Sequence, residues 1–266
     1  MTRYLLLLFF SVYSIFANAQ PKTYSTGNAH SHNDYENAIP FYLAYNNDFG
    51  SIEADVFSIN DTLFVAHNKQ DIRSGRTLRN LYIIPLVHAL DSNKHRKLIL
   101  LVDVKDDYKI TLPLLDKELG PVRKFMSNAS NNNQLTIVIS GNRPSPGEYN
   151  NYPLTFFFDD DLKIYHNKDQ WKRVGLVSLP FYRISRWNGK DRLSEADSLA
   201  LSHTIDSVHT MGKQIRFWAA PDNQLSWQTQ MNLKVDLIGT DKISELAEFL
   251  NSKQRKRLAP LSKNKS

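Results

Sequence analysis

Short apolar runs rich in β-branched and aromatic residues alternate along the chain with segments of helical spacing. Seven runs have the length of strands: 51–59, 97–104, 135–140, 154–159, 174–181, 214–220 and 235–241. An eighth, weaker strand is predicted just before His30. Helices are predicted at 37–47, 77–93, 109–127, 193–212 and 242–252, with weaker helical patterns after 135–140, 154–159 and 214–220. Strands that alternate with helices form parallel sheets, and eight such units predict a single-domain (β/α)8 barrel.

The N-terminus has the pattern of a secretory signal peptide. Arg3 precedes an apolar run, and Ala17-Asn18-Ala19 forms a small-residue cleavage site before Gln20. A transmembrane helix needs about 20 apolar residues, which this run does not reach. We therefore expect residues 1–19 to be removed and the protein to be exported, to the periplasm or beyond; the alternative is an uncleaved anchor. Residues 20–251 would then form the barrel.

The positive charge of the chain lies mostly at one end. The net charge is +6, but residues 252–266 contain six Lys or Arg and no acid. Without the signal peptide and this tail, the net charge is about −1. A basic, flexible tail is predicted, either simply solvated or in peripheral contact with an anionic membrane surface, and no nucleic-acid face is expected. We expect a monomer. Because the chain has no cysteine, thiolate metal sites are excluded.

Polar side chains gather at the ends of the predicted strands, where barrel enzymes keep their active sites. They are His30 to Asp34, Glu53, Asp55, Asp103, Lys105, Arg143, Asp159 to Asp161 and Trp218. Asp159 to Asp161 are predicted either to contact substrate or to cap the next segment, and Trp218 to stack on a ligand or to fill the barrel. The remaining histidines have no acidic cluster around them and are expected to be structural or exposed: His88, His95, His166, His203 and His209.

Acidic residues on two neighbouring strands predict a cation site. Glu53 and Asp55 are two apart on one strand, so their side chains share a face. Two carboxylates this close are costly unless a cation lies between them. Asp103 and Lys105 repeat the pattern on the next strand. Oxygen-rich sites of this kind suit Ca²⁺ or Mg²⁺.

Two histidines are candidates for acid–base chemistry. The segment "SINDTLFV" predicts a strand, a turn and a second strand, which would return His67 to the end of the barrel that carries Glu53 and Asp55. His32 follows the first predicted strand. His30 lies one strand period before His32 and is expected to share its face, either as a ligand or as a supporting residue.

Several motifs resemble the superfamily of phosphatidylinositol-specific phospholipase C (PI-PLC) and glycerophosphodiester phosphodiesterases. "SHNDY" is similar to the entry motif of the phospholipases, and "SIEADV" followed by "LFVAHN" is similar to a Glu-x-Asp…His pattern shared with the phosphodiesterases. "LVDVK", "IRFWAA" and "VDLIGTD" resemble later strands of the superfamily. The motif "HSHNDYENA" resembles a bacterial branch related to the altered inheritance of mitochondria proteins. Residues 106–213 match nothing recognisable.

The resemblance implies a role for each matching residue. His32 and His67 would be the acid–base pair, and Lys105 a neighbour of the phosphate. One divalent cation would be held by Asn33, Glu53, Asp55 and Asp103. The glycerophosphodiesterases carry His-Arg-Gly at the first site, where this chain has His32-Asn33-Asp34. A phosphate-binding cation must therefore come from elsewhere, with Lys105 and Arg143 as candidates.

Three functions are compatible with these residues. The first is an exported phosphodiesterase acting on a phospholipid headgroup or glycerophosphodiester, with a cyclic or a hydrolysed product. The second is a metal-dependent hydrolase of the amidohydrolase type that uses His30 and His32 as ligands. That type needs further histidines late in the chain, and the last four predicted strands end without one. The third is an exported binding protein with an inactive site.

Overall fold

Eight parallel strands form a nearly closed barrel at the centre of the protein. The structure is a computed structural model that describes residue 21, residues 23–92 and residues 95–258, without the side chains of 256–258. Its strands are β1 (Ala29–Ser31), β2 (Ser51–Ile59), β3 (Thr62–Val65), β4 (Leu98–Val104), β5 (Leu135–Gly141), β6 (Phe156–Asp160), β7 (Val174–Pro180), β8 (Ile215–Trp218) and β9 (Ile238–Thr240). The order is β8-β7-β6-β5-β4-β2-β1-β9, and a bridge from Arg216 to Leu237 joins the ends. The predicted (β/α)8 barrel is confirmed.

In the described part of the chain, seven α-helices lie between or after the strands. They are α1 (Tyr42–Asn46), α2 (Ile84–Ser92), α3 (Tyr108–Glu118), α4 (Lys168–Lys172), α5 (Glu195–Thr210), α6 (Gln224–Asn232) and α7 (Ile243–Leu258). α5 begins where predicted, because the Ser194 side chain accepts a hydrogen bond from the Asp197 N–H. α7 continues through Leu258, so residues 252–258 of the predicted tail are helical. The predicted signal peptide and residues 259–266 lie outside the described residues.

Three predicted helices are shorter or less regular than expected. Residues 37–47 contain only the five-residue α1, because Phe41 just before it has φ +63 and cannot continue a helix. Residues 77–93 begin with a π-helical turn, Arg79–Ile83, ahead of α2; Pro85 lacks the N–H that a regular α-helical turn would require there. α3 ends at Glu118, before Gly120 and Pro121, and a 3-10 segment follows.

Side chains alternate between the helix layer and the barrel interior. On β2, Ile52, Ala54 and Val56 pack in the main core beneath the helices. The interior has a small apolar layer of Leu101, Val138, Leu176 and Leu237. Towards the carboxyl ends of the strands the buried interior side chains become polar or charged. The polar side chains at the carboxyl end of the barrel therefore lie above this apolar layer.

A β-hairpin extends the barrel beside the site. β3 pairs antiparallel with β2, with Val65 opposite Val56. Asn60 and Asp61 both have positive φ, as the two-residue turns of such hairpins require. The Ala66 N–H donates to the Asp55 carbonyl at 3.3 Å, so His67 returns to the carboxyl end of β2. The strand–turn–strand prediction is confirmed.

In the described residues, no helix combines the length and the apolar character needed to cross a membrane.

Gly50→Ala should destabilise the barrel where β2 begins. An added Cβ would overlap the Gly27 carbonyl oxygen, which belongs to the backbone and cannot easily move. Forced overpacking typically costs about 1–3 kcal/mol, which urea unfolding would measure. Gly147→Ala is the matched control, because nothing lies within 4 Å of its added Cβ. Equal stability of the two variants would contradict the close approach of Gly27 and Gly50.

Candidate active site

A cavity of about 760 Å³ opens at the carboxyl ends of the strands. Its walls include the main residues that the sequence predicts to be catalytic, metal-binding or substrate-binding: His32, Asn33, Glu53, Asp55, His67, Asp103, Lys105, Arg143 and Trp218. A cavity of about 780 Å³ at the opposite end of the barrel, lined in part by Lys97 and Lys213, contains none of them. Because the two cavities have similar volumes, the candidate site is identified by the residues that line it and not by its size.

Three carboxylates converge on one side of the cavity. The register of β2 and β4 sets Asp55 opposite Asp103, with Glu53 one layer below. One oxygen from each of the three lies within 4.8 Å of the others. Burial and the neighbouring Glu53 charge raise the pKa of Asp55, while burial raises the pKa of Asp103 to about 6. The crowding of negative charge identifies a position for a cation.

Other observations show that this position suits a divalent cation. The Lys105 ammonium lies 2.7 Å from Asp55 Oδ2 and 3.3 Å from Asp103 Oδ2, between two of the three carboxylates. Asp55 Oδ1 is buried without a hydrogen-bond partner. Most buried carboxylate oxygens have a hydrogen-bond partner, which Asp55 Oδ1 lacks. An all-oxygen donor set fits Ca²⁺ or Mg²⁺.

Glu53 is held from below by a buried cation and a histidine. The Arg216 guanidinium donates to Glu53 Oε2 at 3.0 Å and to Ser178 Oγ at 2.8 Å. His30 Nε2 lies 2.7 Å from the same Glu53 oxygen, and His30 Nδ1 lies 2.8 Å from Ser51 Oγ. Burial acts to raise the pKa of Glu53, but the Arg216 charge and the His30 hydrogen bond together lower it, so the carboxylate stays ionised. Burial and Arg216 lower the pKa of His30 to about 4.

His30 therefore has a different position from His32. It is fully buried beneath the carboxylates, is not among the residues that line the cavity, and has both ring nitrogens engaged. A metal site of the amidohydrolase type would need both histidines as ligands. The geometry disfavours that alternative and assigns His30 to the support of Glu53.

His32 is oriented by the last strand of the barrel. β1 pairs with β9 so that Ser31 lies opposite Thr240, which sets His32 beside Asp241. His32 Nδ1 lies 2.8 Å from Asp241 Oδ1 and 3.0 Å from the Asn33 side-chain nitrogen. Burial acts to lower the pKa of His32, but the Asp241 hydrogen bond and the Glu53 charge raise it overall. A histidine backed by a carboxylate is suited to proton transfer.

Tyr35 connects the loop after β1 with His67. Its hydroxyl lies 2.7 Å from Asp55 Oδ2, 2.9 Å from Asn33 Oδ1 and 3.3 Å from His67 Nδ1. Burial raises the pKa of Tyr35 far above its ordinary value, so the phenol keeps its proton. His67 is about half exposed, with Nδ1 3.4 Å from Asp55 Oδ2. Both candidate acid–base histidines thus contact groups that hold them at the rim of the cavity.

Asn33 and Asp34 differ in position although they are adjacent. Asn33 has φ +45 and lines the cavity, but its side-chain oxygen is bonded to Tyr35, and its role as a metal ligand stays a prediction. Asp34 is fully buried and accepts hydrogen bonds from Ser31, Tyr82 and the Phe41 N–H. It lies outside the acidic cluster, as expected, and stabilises the strained backbone at Phe41.

The other predicted polar residues divide between the cavity and the core. Asp159 and Asp161 line the cavity, while Asp160 faces the buried side chain of His166 at 3.1 Å. His209 is similarly buried, 2.8 Å from Asp236. These two histidines are structural, as expected. Trp218 is 38% exposed, so it is a cavity wall rather than a filler of the barrel interior.

Three residues of the site were missed in the sequence: Tyr35, Arg216 and Asp241. Arg216 could have been found, because an arginine two residues before Trp218 in an apolar strand shares its face and needs a buried partner. Tyr35 stands within the motif "SHNDY", and Asp241 ends "VDLIGTD". Their partners are remote in sequence, so only the folded arrangement identifies the contacts.

The barrel carries two candidate acid–base histidines and an acidic cluster at the carboxyl ends of its strands. Residues 21–97 match the family model described as the AIM6-like phosphodiesterase domain. This segment contains both candidate histidines with Glu53 and Asp55, but not Asp103 or Arg216.

Curated relatives extend the similarity over most of the chain. The chain is 28% identical over 261 residues to an altered inheritance of mitochondria protein 6 homolog from Arthroderma benhamiae, covering 81% of each. It is 26% identical over 280 residues to altered inheritance of mitochondria protein 6 from Lachancea thermotolerans, covering 83% of this chain and 65% of that protein.

Solved structures share the fold at low sequence identity. A glycerophosphodiester phosphodiesterase from Parabacteroides distasonis superposes with a TM-score of 0.55 and 14% identity, over 85% of this chain and 98% of that one. A calcium-dependent phosphoinositol-specific phospholipase C from a Pseudomonas species gives 0.54 and 12%, over 84% and 92%. The resemblance to the AIM6-like phosphodiesterase domain and to the altered inheritance of mitochondria proteins is confirmed, and the solved phosphodiesterase and phospholipase structures share the fold.

Arg216→Met should be strongly destabilising, because it leaves Glu53 charged and buried without its cation. Breaking a buried pair in this way typically costs about 3–5 kcal/mol, measured by urea unfolding. The double variant Arg216→Met/Glu53→Gln should recover much of that loss, since the uncompensated charge is gone. Lys124→Met, which breaks an exposed 2.8 Å contact with Asp91, should cost less than about 1 kcal/mol. A double variant no more stable than Arg216→Met would contradict the pairing.

Proposed function

We propose that this protein is an exported, divalent-cation-dependent phosphodiesterase in which His32 and His67 form the acid–base pair. The observation that carries the proposal is the convergence of both histidines with Glu53, Asp55 and Asp103 on one cavity at the carboxyl ends of the strands. The matched family model and the shared fold support phosphodiester cleavage as the reaction class.

Glu53, Asp55 and Asp103 would hold the cation, with Asn33 as a further candidate ligand. A bound Ca²⁺ or Mg²⁺ supplies positive charge that offsets the non-bridging oxygens of a phosphodiester. The buried Asp55 oxygen without a partner and the raised pKa of Asp103 support this assignment. The phospholipase with the same fold is calcium-dependent, which makes Ca²⁺ the first ion to test.

The two histidines would divide the proton transfers. One takes the proton of the attacking hydroxyl or water, and the other gives a proton to the leaving oxygen. Asp241 orients the ring of His32, and Tyr35 contacts that of His67. A substrate with a hydroxyl beside its phosphate would allow internal attack and a cyclic product.

Cations and an aromatic side chain would position the substrate. Lys105 and Arg143 line the cavity and replace the arginine that the first motif lacks. Trp218 offers a face for the organic part of the substrate. A phospholipid headgroup or a glycerophosphodiester remains the proposed substrate class. The proposal of export rests on the signal-peptide pattern of residues 1–19. The proposal of a peripheral membrane contact rests on the basic residues after 252.

Divalent cations should raise the melting temperature of the purified protein, because they bind only the folded arrangement of carboxylates. At a hundredfold excess over Kd the stabilisation is about 2.7 kcal/mol, or several degrees for a chain of this size. Asp103→Asn should reduce the shift, whereas Asp116→Asn, on the outer surface, should not. Unchanged melting curves with millimolar Ca²⁺ and Mg²⁺ would contradict the metal assignment.

Replacement of either proposed acid–base histidine should abolish most turnover. His32→Ala and His67→Ala should each lower phosphodiester turnover at least about a hundredfold. The double variant should be little worse than either alone, because groups that act as a unit are not additive. Both should keep the cation-induced melting shift, which separates them from ligand variants.

His203→Ala is the matched control, because His203 is exposed on α5 and far from the cavity walls. Wild-type turnover in His67→Ala would overturn the acid–base pair. A cation-induced shift without turnover of any phosphodiester would favour the binding-protein alternative instead.

A further inference from the structure

Positive charge is concentrated on one side of the cavity, across from the acidic cluster. Four cationic side chains from the loops after β5, β6 and β7 line that side, and we name them the cationic rim: Arg143, Lys163, Arg183 and Arg186. The acidic cluster, by contrast, sets three carboxylates against two cations, Lys105 and Arg216.

A single carboxylate pairs with the cationic rim. Asp161 lies 2.6 Å from Lys163 Nζ and 3.8 Å from the Arg143 guanidinium. Arg183 donates to the Asp161 backbone carbonyl at 2.8 Å, and Arg186 lies 5.5 Å over the ring of Tyr182. Among the described residues, no carboxylate forms an ion pair with Arg183 or Arg186. The rim therefore keeps an excess of positive charge that a further anion would neutralise.

The acidic cluster requires a cation to balance its charge, whereas the cationic rim requires an anion. With a divalent cation bound, the acidic cluster carries a small positive excess, which one singly charged phosphodiester balances. That phosphodiester would be contacted by Lys105 and Arg143, and it leaves Arg183 and Arg186 without an anionic partner. The cavity volume of about 760 Å³ also exceeds what a bare phosphodiester fills, and lies in the range of complete small-molecule sites.

Two aromatic side chains lie beside the cationic rim, Tyr182 on the same loop as Arg183 and Trp218 at the end of β8. Tyr182 and Trp218 meet edge to face with ring centroids 5.4 Å apart, and both line the cavity. Aromatic faces of this kind support the apolar or sugar-like part of a ligand. They would cover the organic segment that joins two charged groups.

We infer that Arg183 and Arg186, with Lys163, bind a second anionic group of the substrate, so that the preferred substrate is a phosphodiester carrying a further phosphate or carboxylate. Guanidinium groups recognise both through charge-assisted hydrogen bonds. This inference rests on the proposed function for the first anion, and on the charge distribution alone for the second.

Titration with inorganic phosphate in EDTA tests the rim without requiring turnover, because the metal-free acidic cluster repels anions. Arg183→Gln/Arg186→Gln should raise the phosphate Kd at least about fivefold at fixed ionic strength, the loss expected for charge-assisted contacts at an exposed site. The matched control is Arg79→Gln/Lys172→Gln, which removes the same charge from the outer surface and should leave the Kd unchanged. Equal Kd values in wild type and the rim variant, or equal losses in both variants, would overturn the inference.

Kinetics with a pair of chromogenic diesters test the substrate class. One is the 4-nitrophenyl diester of glycerol phosphate, and the other carries an added phosphate monoester on the glycerol. The wild type should prefer the second through a lower KM, and the rim variant should reduce that preference by about tenfold. If no diester is cleaved at all, the proposed function is wrong. The phosphate titration then still tests whether the cationic rim binds an anion.

Vesicles separate a substrate subsite from a membrane contact. The probe is phosphatidylcholine with and without phosphatidic acid. If the rim substitutions abolish binding to anionic vesicles while inorganic phosphate does not bind the wild type, the rim is a membrane contact and the substrate subsite is wrong. Phosphate binding that depends on Arg183 and Arg186 in the absence of vesicles supports the subsite.

Discussion

The ion pair between Glu53 and Arg216 is the interaction on which the functional end of the barrel depends. It joins β2 to β8 across the interior, between residues 163 positions apart, and both side chains are almost completely buried. His30 contacts the same Glu53 oxygen, and Ser178 accepts a hydrogen bond from the Arg216 guanidinium. Burying either charge without its partner would cost far more free energy than losing an ordinary contact. The pair therefore fixes the position of β2 relative to β8 across the barrel interior.

Above that pair, the barrel accepts a destabilising concentration of negative charge. Asp55 and Asp103 face each other on neighbouring strands, and the pKa of each is raised, which means that ionising them in the folded protein costs free energy. Lys105 offsets part of this cost. A fold that keeps such a cluster beside an apolar layer sacrifices stability locally, as functional sites commonly do.

The histidines reach the same cavity by different routes. His32 follows β1 directly and is oriented by β9, the last strand of the chain. His67 arrives through the hairpin of β2 and β3, and Tyr35 connects it to the loop after β1. The closure of the barrel, which brings β9 beside β1, is therefore part of the site and not only of the scaffold.

Local pattern determined much of what this protein is. The alternation of side chains on β2 was enough to predict that Glu53 and Asp55 share a face. The turn at Asn60 and Asp61 was enough to predict the return of His67. Both features depend only on residues that are close together in the chain. Helix lengths were less predictable, since Phe41 adopts a positive φ that its contact with the Asp34 side chain supports.

Only the tertiary structure decided the partners. Arg216 with Glu53, Asp241 with His32, and the gathering of Arg143, Lys163 and Arg183 on one rim all join residues from distant strands and loops. Periodicity states which face of its own strand a residue occupies, but not which remote side chain lies opposite. That choice is made by strand order and register when the barrel closes.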